Sequence, residues 1–150
     1  MRSIKVKDCM TAQVVTVAPD MPVVEAIGIL LRHNITAAPV VSSEGEVLGI
    51  LSESDCLEAT LTEGYFSQGG GLVKEYMMTE VKTASPEDDI ISAYEHFMTR
   101  KAFRVPVLHE GRIIGMLSPK DLAAAVLEFF EHPANNQLHT EHYTQGSQDA

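Results

Sequence analysis

The sequence predicts an α+β fold, built from two copies of a β-α-β-β-α unit that share one core. Three observations predict it. The phrase GILSESD, from Gly49 to Asp55, returns as GMLSPKD, from Gly115 to Asp121, 66 positions further on. Each phrase follows the same kind of text, a short apolar run broken by a turn: VVSSEGEVL before the first and VLHEGRII before the second. The chain has 150 residues, 45% of them apolar, which suffices for one ordinary core. A copy of about 60 residues buries too little surface to stand alone.

The repetition is wider than the phrase. The run from Val6 to Thr11 aligns with the run from Lys74 to Thr79 at an offset of 68. Pro19 aligns with Pro86 and Pro39 with Pro106 at 67, and Gly49 with Gly115 at 66, the drift expected of small loop deletions. The domain plan is therefore repeat 1 over 1–61, a linker over 62–72, repeat 2 over 73–131 and a tail over 132–150. The linker holds Gly69-Gly70-Gly71 and reads as a mobile connector. The tail, HPANNQLHTEHYTQGSQDA, has no periodicity and reads as disordered.

Each copy opens on a short extended piece, VVTVA in the first and VKTAS in the second. A helix follows. In copy 2 its start is marked by Ser85 as N-cap, Pro86 at the first helical position and Asp88 at the third. Ile90, Ile91, Tyr94, Phe97 and Met98 then recur at helical spacing. In copy 1 the matching face is Val23, Val24, Ile27, Leu30 and Leu31, with Asp20 as the cap. Two strands around a tight turn come next: Pro39–Val41 and Val47–Leu51 joined at Glu44-Gly45, then Val105–Leu108 and Ile113–Leu117 joined at Glu110-Gly111. Glycine supplies the positive φ that such hairpins favour. A second helix starts at the Ser of each phrase, and in copy 2 it carries Leu122, Val126, Leu127 and Phe130.

Composition excludes several functions. A net charge of −10 with no basic stripe argues against nucleic acid, although a local cation cluster can still serve a small anion. The N-terminus lacks a signal-peptide core, and no apolar run approaches a membrane span, so a soluble cytoplasmic protein is expected. Cys9 and Cys56 have no metal or redox spacing. Six histidines, among them His132, His139 and His142 near the C-terminus, fit no zinc pattern. No nucleophile elbow, P-loop or zincin motif occurs, and no nucleophile–base pair stands out, so the chain reads as a non-enzyme. The methionines read as core filler, with Met10, Met77 and Met78 available to a partner interface.

The repeated phrase has two readings. Ser-x-x-Asp is itself a helix-start signature: Ser52 and Ser118 accept from the amide three residues on, and Asp55 and Asp121 reach back. Pro119 at the first helical position and the acids at the positive end of the dipole agree with this. Alternatively, the glycine three residues before each Ser lets a ligand or a neighbouring strand approach the backbone. Amides at the helix start then receive a phosphate, and the Asp accepts bonds from a vicinal diol, as an acid does for ribose in dinucleotide folds.

The element order, the h-x-P near each copy's start, the A-x-P-V-V and R-V-P-V strands and the closing G-h-h-S-x-x-D resemble a tandem pair of CBS (cystathionine-β-synthase) domains over residues 6–130. The resemblance implies two repeats packed with pseudo-twofold symmetry into one disc-like Bateman module, often paired into a homodimer. It implies a regulatory ligand with an adenosine part (AMP, ADP, ATP or S-adenosylmethionine) bound between the copies, and a regulated partner protein, with no cofactor required. Carried over by position, cleft one would use Ser118 and Asp121 with Thr16, Val17, Thr36, Ala37 and Pro39. Cleft two would use Ser52 and Asp55 with Thr83, Ala84, Phe103, Arg104 and Pro106. Asp would hold the ribose hydroxyls, and backbone of the h-x-P and x-P-V segments would read the adenine edge. Arg104 stands where copy 1 has Ala37, with Lys101 near it, and favours a phosphorylated ligand in cleft two. Lys120 and Phe103 are further candidates for phosphate and base. The rival function is a ligand-free homodimerisation module in which the phrases are only helix caps.

Overall fold

A computed structural model describes residues 4–63, 70–100 and 104–132. Gly69, Lys101, Phe103, His139, His142 and the tail beyond His132 lie outside the described residues. The elements run α1 (Val6–Cys9), α2 (Val23–Arg32), β1 (Ala37–Val41), β2 (Val47–Ser52), α3 (Glu53–Glu58) continuing as a π-helical turn (Ala59–Glu63), α4 (Val73–Tyr76), α5 (Ile90–Arg100), β3 (Val105–His109), β4 (Arg112–Leu117) and α6 (Pro119–Glu131).

Each copy contributes one antiparallel hairpin, β1–β2 or β3–β4. The second hairpin turns on Glu110 and Gly111, with φ of 54° and 80°, the double positive φ of a type I′ turn. The first has a longer turn in which the Ser42 hydroxyl accepts from the amides of Glu44 and Glu46. The opening extended pieces lie parallel to the hairpins through single bridges, Val17 with Val40 and Ala84 with Val107.

The two copies do not share a single core as expected. Among the described residues there are two hydrophobic clusters, and each is completed by the leader of the other copy. The copy 1 cluster of Val17, Val23, Ala26, Leu30, Ala38, Val40, Leu51, Cys56 and Ala59 also contains Val73. The copy 2 cluster of Ala84, Ala93, Val105, Val107, Leu117 and Leu122 contains Val6. Both valines are fully buried, and full burial of such a side chain is worth about 1.5–3 kcal/mol. A 60-residue unit thus gains its missing apolar surface by borrowing one short segment.

The exchange uses matching bonds. The amides of Val6 and Lys7 donate to Asp88 and Pro86 O (2.8 and 3.0 Å), and those of Val73 and Lys74 donate to Met21 and Pro19 O (2.9 Å each). Lys7 pairs with Glu87 at 2.9 Å, and Lys74 with Asp20 at 2.8 Å. Thr11 exchanges backbone bonds with Met116, as Met78 does with Ile50. The leaders therefore match at an offset of 67, not 68: VKDCMT over VKEYMM. Thr11 corresponds to Met78.

This docking also moves the helix starts. The helix of copy 2 begins at Ile90, not at Pro86, and Asp89 caps it by accepting from the amides of Ile91 and Ser92 (2.9 and 3.0 Å). Ser85 to Asp88 closes a separate turn. In copy 1, Pro22 is the N-cap and Asp20 is drawn off by Lys74. The carbonyls of Pro19, Met21, Pro86 and Asp88 serve the leaders, which holds these stretches out of the helix. The linker end is also pinned: Gly71 O accepts from Val23, and Gly70 is buried against Thr60.

Only part of each expected helix face turns inward. Val23, Ala26 and Leu30 of α2 and Ala93 of α5 are buried, while Val24, Leu31, Ile91, Tyr94 and Met98 are exposed. With Leu57, Leu61, Val126, Leu127 and Phe130 they leave apolar surface on the helices of both copies. Among the described residues no helix is long and apolar enough to cross a membrane.

Candidate functional site

The phrase glycines make room for a neighbouring segment. A Cβ at Gly49 would lie 2.6 Å from Met78 O and 2.8 Å from the Met77 sulfur; one at Gly115 would lie 2.5 Å from the Met10 sulfur and 3.1 Å from Thr11 O. The neighbour that needs the missing side chain is the other copy's leader. Met10 and Met77 consequently pack inward on the phrases; Met78 alone of the three is largely exposed.

Both capping boxes are complete. Ser52 Oγ accepts from the Asp55 amide (3.2 Å), and Asp55 Oδ2 accepts from the Ser52 amide and hydroxyl (2.9 Å each). In copy 2 the distances are 3.3, 2.9 and 3.2 Å, with Ser118 and Asp121. Each box leaves one carboxylate oxygen, Oδ1. Asp121 Oδ1 accepts from the Thr11 hydroxyl at 3.2 Å. Asp55 Oδ1 accepts no hydrogen bond among the described residues.

The strand ends lie beside the phrase of their own copy. Ala37 pairs with Ser52, and Thr36 O accepts from the Glu53 amide at 2.9 Å. In copy 2 the equivalent of Glu53 is Pro119, which has no amide to give. Val105 pairs with Leu117, so half-buried Arg104 lies near Ser118. Among the described residues no hydrogen bond joins Ser52 or Asp55 to Thr83, Ala84, Arg104 or Pro106, nor Ser118 or Asp121 to Thr16, Val17, Thr36, Ala37 or Pro39.

What links those groups is the leader. Thr11 bridges to Met116, beside the Ser118 phrase, and Val17 bridges to Val40, beside Pro39. Met78 bridges to Ile50, beside the Ser52 phrase, and Ala84 bridges to Val107, beside Pro106. The two halves of each cleft are the ends of one six-residue step, which spans at most about 22 Å.

Several candidate residues are frame rather than surface. Val17, Ala37, Pro39, Ala84 and Pro106 are buried. Val17 N–H donates to Pro39 O and Val17 O accepts from Val41; Ala84 N–H donates to Pro106 O and Ala84 O accepts from Leu108. The side chains of Thr16, Thr36 and Thr83 are exposed, and their hydroxyls make no hydrogen bond among the described residues.

A hollow of about 290 Å³ opens elsewhere, between α2 and α3 of copy 1, lined by Ile27, Leu30, Leu31, Glu53, Cys56 and Leu57. It is an apolar surface feature of one copy. Burial, with a smaller contribution from Asp55, pushes the Cys56 thiol up to about 11. Burial, followed by Asp121 and Asp8, does the same to Cys9. Neither thiol is thus a thiolate near neutral pH. Sequence reasoning missed Thr11; the closer match VKDCMT over VKEYMM was the signal for it.

Comparison with known proteins agrees with this arrangement. The CBS domain profile matches twice, at residues 6–62 and 73–128. A CBS domain-containing protein of Bacillus subtilis, YhcV, is 32% identical over 118 residues, covering 79% of this chain and 82% of the relative. Among solved structures, the CBS domain pair of protein MJ0100, in complex with 5-methylthioadenosine and S-adenosyl-L-methionine, superposes with a TM-score of 0.73 at 23% identity, covering 85% of this chain and 98% of the other. CBSX2 in complex with AMP gives 0.74 at 23% identity, with the same coverage.

Proposed function

This chain belongs to the CBS domain family, and from that premise we propose that it is a regulatory module that binds an adenosyl compound between its two repeats. The observation that carries the proposal is the placement of two half-buried carboxylates at helix starts, each joined by a leader to the hairpin of the other copy. In the proposed clefts Asp55 or Asp121 holds ribose hydroxyls, while the exposed threonines Thr16, Thr36 and Thr83 and the cation Arg104 line the approach. The complexes of MJ0100 and CBSX2 support the ligand class, since 5-methylthioadenosine, S-adenosyl-L-methionine and AMP share an adenosine part. No chemistry on the ligand is required. A ligand that binds two arrangements of the repeats unequally shifts their populations, and a partner protein reads the shift. We place this activity in the cytoplasm and assign the module a homodimeric state.

The test is a thermal-shift series with AMP, ADP, ATP and S-adenosylmethionine on the wild type, Asp55→Ala and Asp121→Ala. A compound that binds the folded state raises Tm with concentration, by the equivalent of about 2.7 kcal/mol at a hundredfold excess over Kd. The expected result is a shift with at least one compound that an Asp variant abolishes. If no compound shifts Tm and both variants merely melt earlier, the reading fails.

A second reading has its own observation. Each capping box is closed by its own Ser and Asp, and both copies expose large apolar side chains on their helices, Leu31 at 68% and Ile91 at 74%. These favour a ligand-free homodimerisation module. Sedimentation across a concentration series, with Leu31→Glu and Ile91→Glu variants, tests this: it fails if the wild type stays monomeric.

A further inference from the structure

We propose that Thr11 determines which of the two clefts accepts a ribose, by occupying the carboxylate of one and not the other. The inference rests on the adenosyl-binding reading above. A carboxylate offers about four acceptor positions, two on each oxygen. In both copies Oδ2 is spent on the capping box, where it accepts from the amide and hydroxyl of Ser52 or Ser118. Only Oδ1 is left for a ligand. A vicinal diol brings two donors and needs both positions of that oxygen. Asp55 Oδ1 has both. Asp121 Oδ1 has already received the Thr11 hydroxyl at 3.2 Å.

The asymmetry is written into one pair of equivalent positions. Thr11 and Met78 occupy the same place: each exchanges backbone bonds with the second residue before the phrase serine, Met116 or Ile50. One is a hydroxyl donor and the other a thioether that cannot donate. Thr79, the next residue in copy 2, is exposed and makes no hydrogen bond among the described residues. Thr11 belongs to copy 1 and Asp121 to copy 2, so a ribose entering cleft one must break a contact between the copies, while among the described residues one reaching Asp55 Oδ1 breaks none. The first ligand therefore goes to Asp55. Filling the second cleft is coupled to loss of the Thr11–Asp121 bond between the copies.

The test is calorimetric titration with AMP and with its 2′,3′-dideoxy analogue. The proteins are the wild type, Thr11→Met, the near-isosteric Thr11→Val, and Met78→Thr, with Asp55→Ala and Asp121→Ala to identify each cleft. One hydrogen bond in competition corresponds to roughly three- to tenfold in affinity. The wild type should fill one site first, and Asp55→Ala should remove it. Thr11→Met and Thr11→Val should each tighten the second site by that factor, and Met78→Thr should weaken the first. The dideoxy analogue should show neither effect. If AMP binds but the first site is the one lost in Asp121→Ala, or the Thr11 variants leave the second site unchanged, the role of Thr11 is overturned while the binding reading stands. If AMP binds to no variant, the role of Thr11 at an AMP ribose is overturned, and the binding reading is decided by the other three compounds of the thermal-shift series.

Discussion

Copy 1 and copy 2 build the same frame and close it with different side chains. In each, a hairpin runs into a capped helix, and a glycine admits the other copy's leader. The backbone bonds of the two leaders match pair for pair, Val6 to Asp88 against Val73 to Met21, and Lys7 to Pro86 against Lys74 to Pro19. The side chains diverge where the frame does not need them. Arg104 stands for Ala37, Pro119 for Glu53, and Met78 for Thr11. The difference teaches that the repeated phrase is held by folding, through its glycine and its capping box. Any division of labour between the clefts resides in the residues around it.

Three changes would break or sharpen that comparison. The largest effect is expected at the glycines. At Gly49 the atom met by a Cβ is a backbone oxygen, which cannot move without the leader; at Gly115 it is first the Met10 sulfur, which can swing aside. Gly49→Ala should cost about 3 kcal/mol and Gly115→Ala about 1 kcal/mol in denaturant unfolding, within the range for overpacked sites. Equal costs would mean the two leaders are docked equally rigidly.

Next come the borrowed valines. Val73→Ala and Val6→Ala should each lose about 2 kcal/mol, from lost burial plus the cavity left behind. The informative readout is where the loss is felt. Hydrogen exchange should quicken in β1–β2 for Val73→Ala and in β3–β4 for Val6→Ala, each in the copy that does not contain the mutation. Loosening confined to the mutated copy would contradict the exchange of leaders.

The smallest effect is electrostatic and pH-dependent. Hydrogen bonds from Lys7 and Lys5 hold Glu87 below its ordinary value of 4.5. A carboxylate with a lowered native pKa stabilises above its unfolded pKa, and that contribution is lost as pH falls through the native value. Stability of the contact between Lys5 and Lys7 of the copy 1 leader and Glu87 of copy 2 should therefore drop below pH 4.5 in the wild type, and the drop should shrink in Glu87→Gln. Exposed pairs contribute little, so a melting curve over pH at low salt is the sensitive measurement. An unchanged acid profile in Glu87→Gln would mean that the pair does not help to hold the leader.

Much of this was legible along the chain because it is local. The hairpin turn at Glu110-Gly111 and the two Ser-x-x-Asp caps depend on residues within a few positions of one another. Reading failed where a local signal was overruled from a distance. Ser85, Pro86 and Asp88 spell a helix start, yet the leader takes the Pro86 and Asp88 carbonyls and delays the helix to Ile90. Asp20 was the expected cap, but Lys74 claims it. Ile91 and Leu31 keep helical spacing yet remain in solvent, because periodicity gives a face and not what covers it.

The sequence by itself determined that the fold is a duplication, where its hairpins and its two Ser-x-x-Asp caps lie, and that Asp55 and Asp121 stand at helix starts. Those follow from residue pattern, turn chemistry and capping over short spans. Only the tertiary structure decided that each copy's core is completed by the other's leader, that the phrase glycines serve that docking, and that Asp121 is engaged by Thr11 while Asp55 Oδ1 is not. Such contacts join residues far apart in the chain, where no periodicity records the partner and only the packed backbone brings the groups within bonding distance.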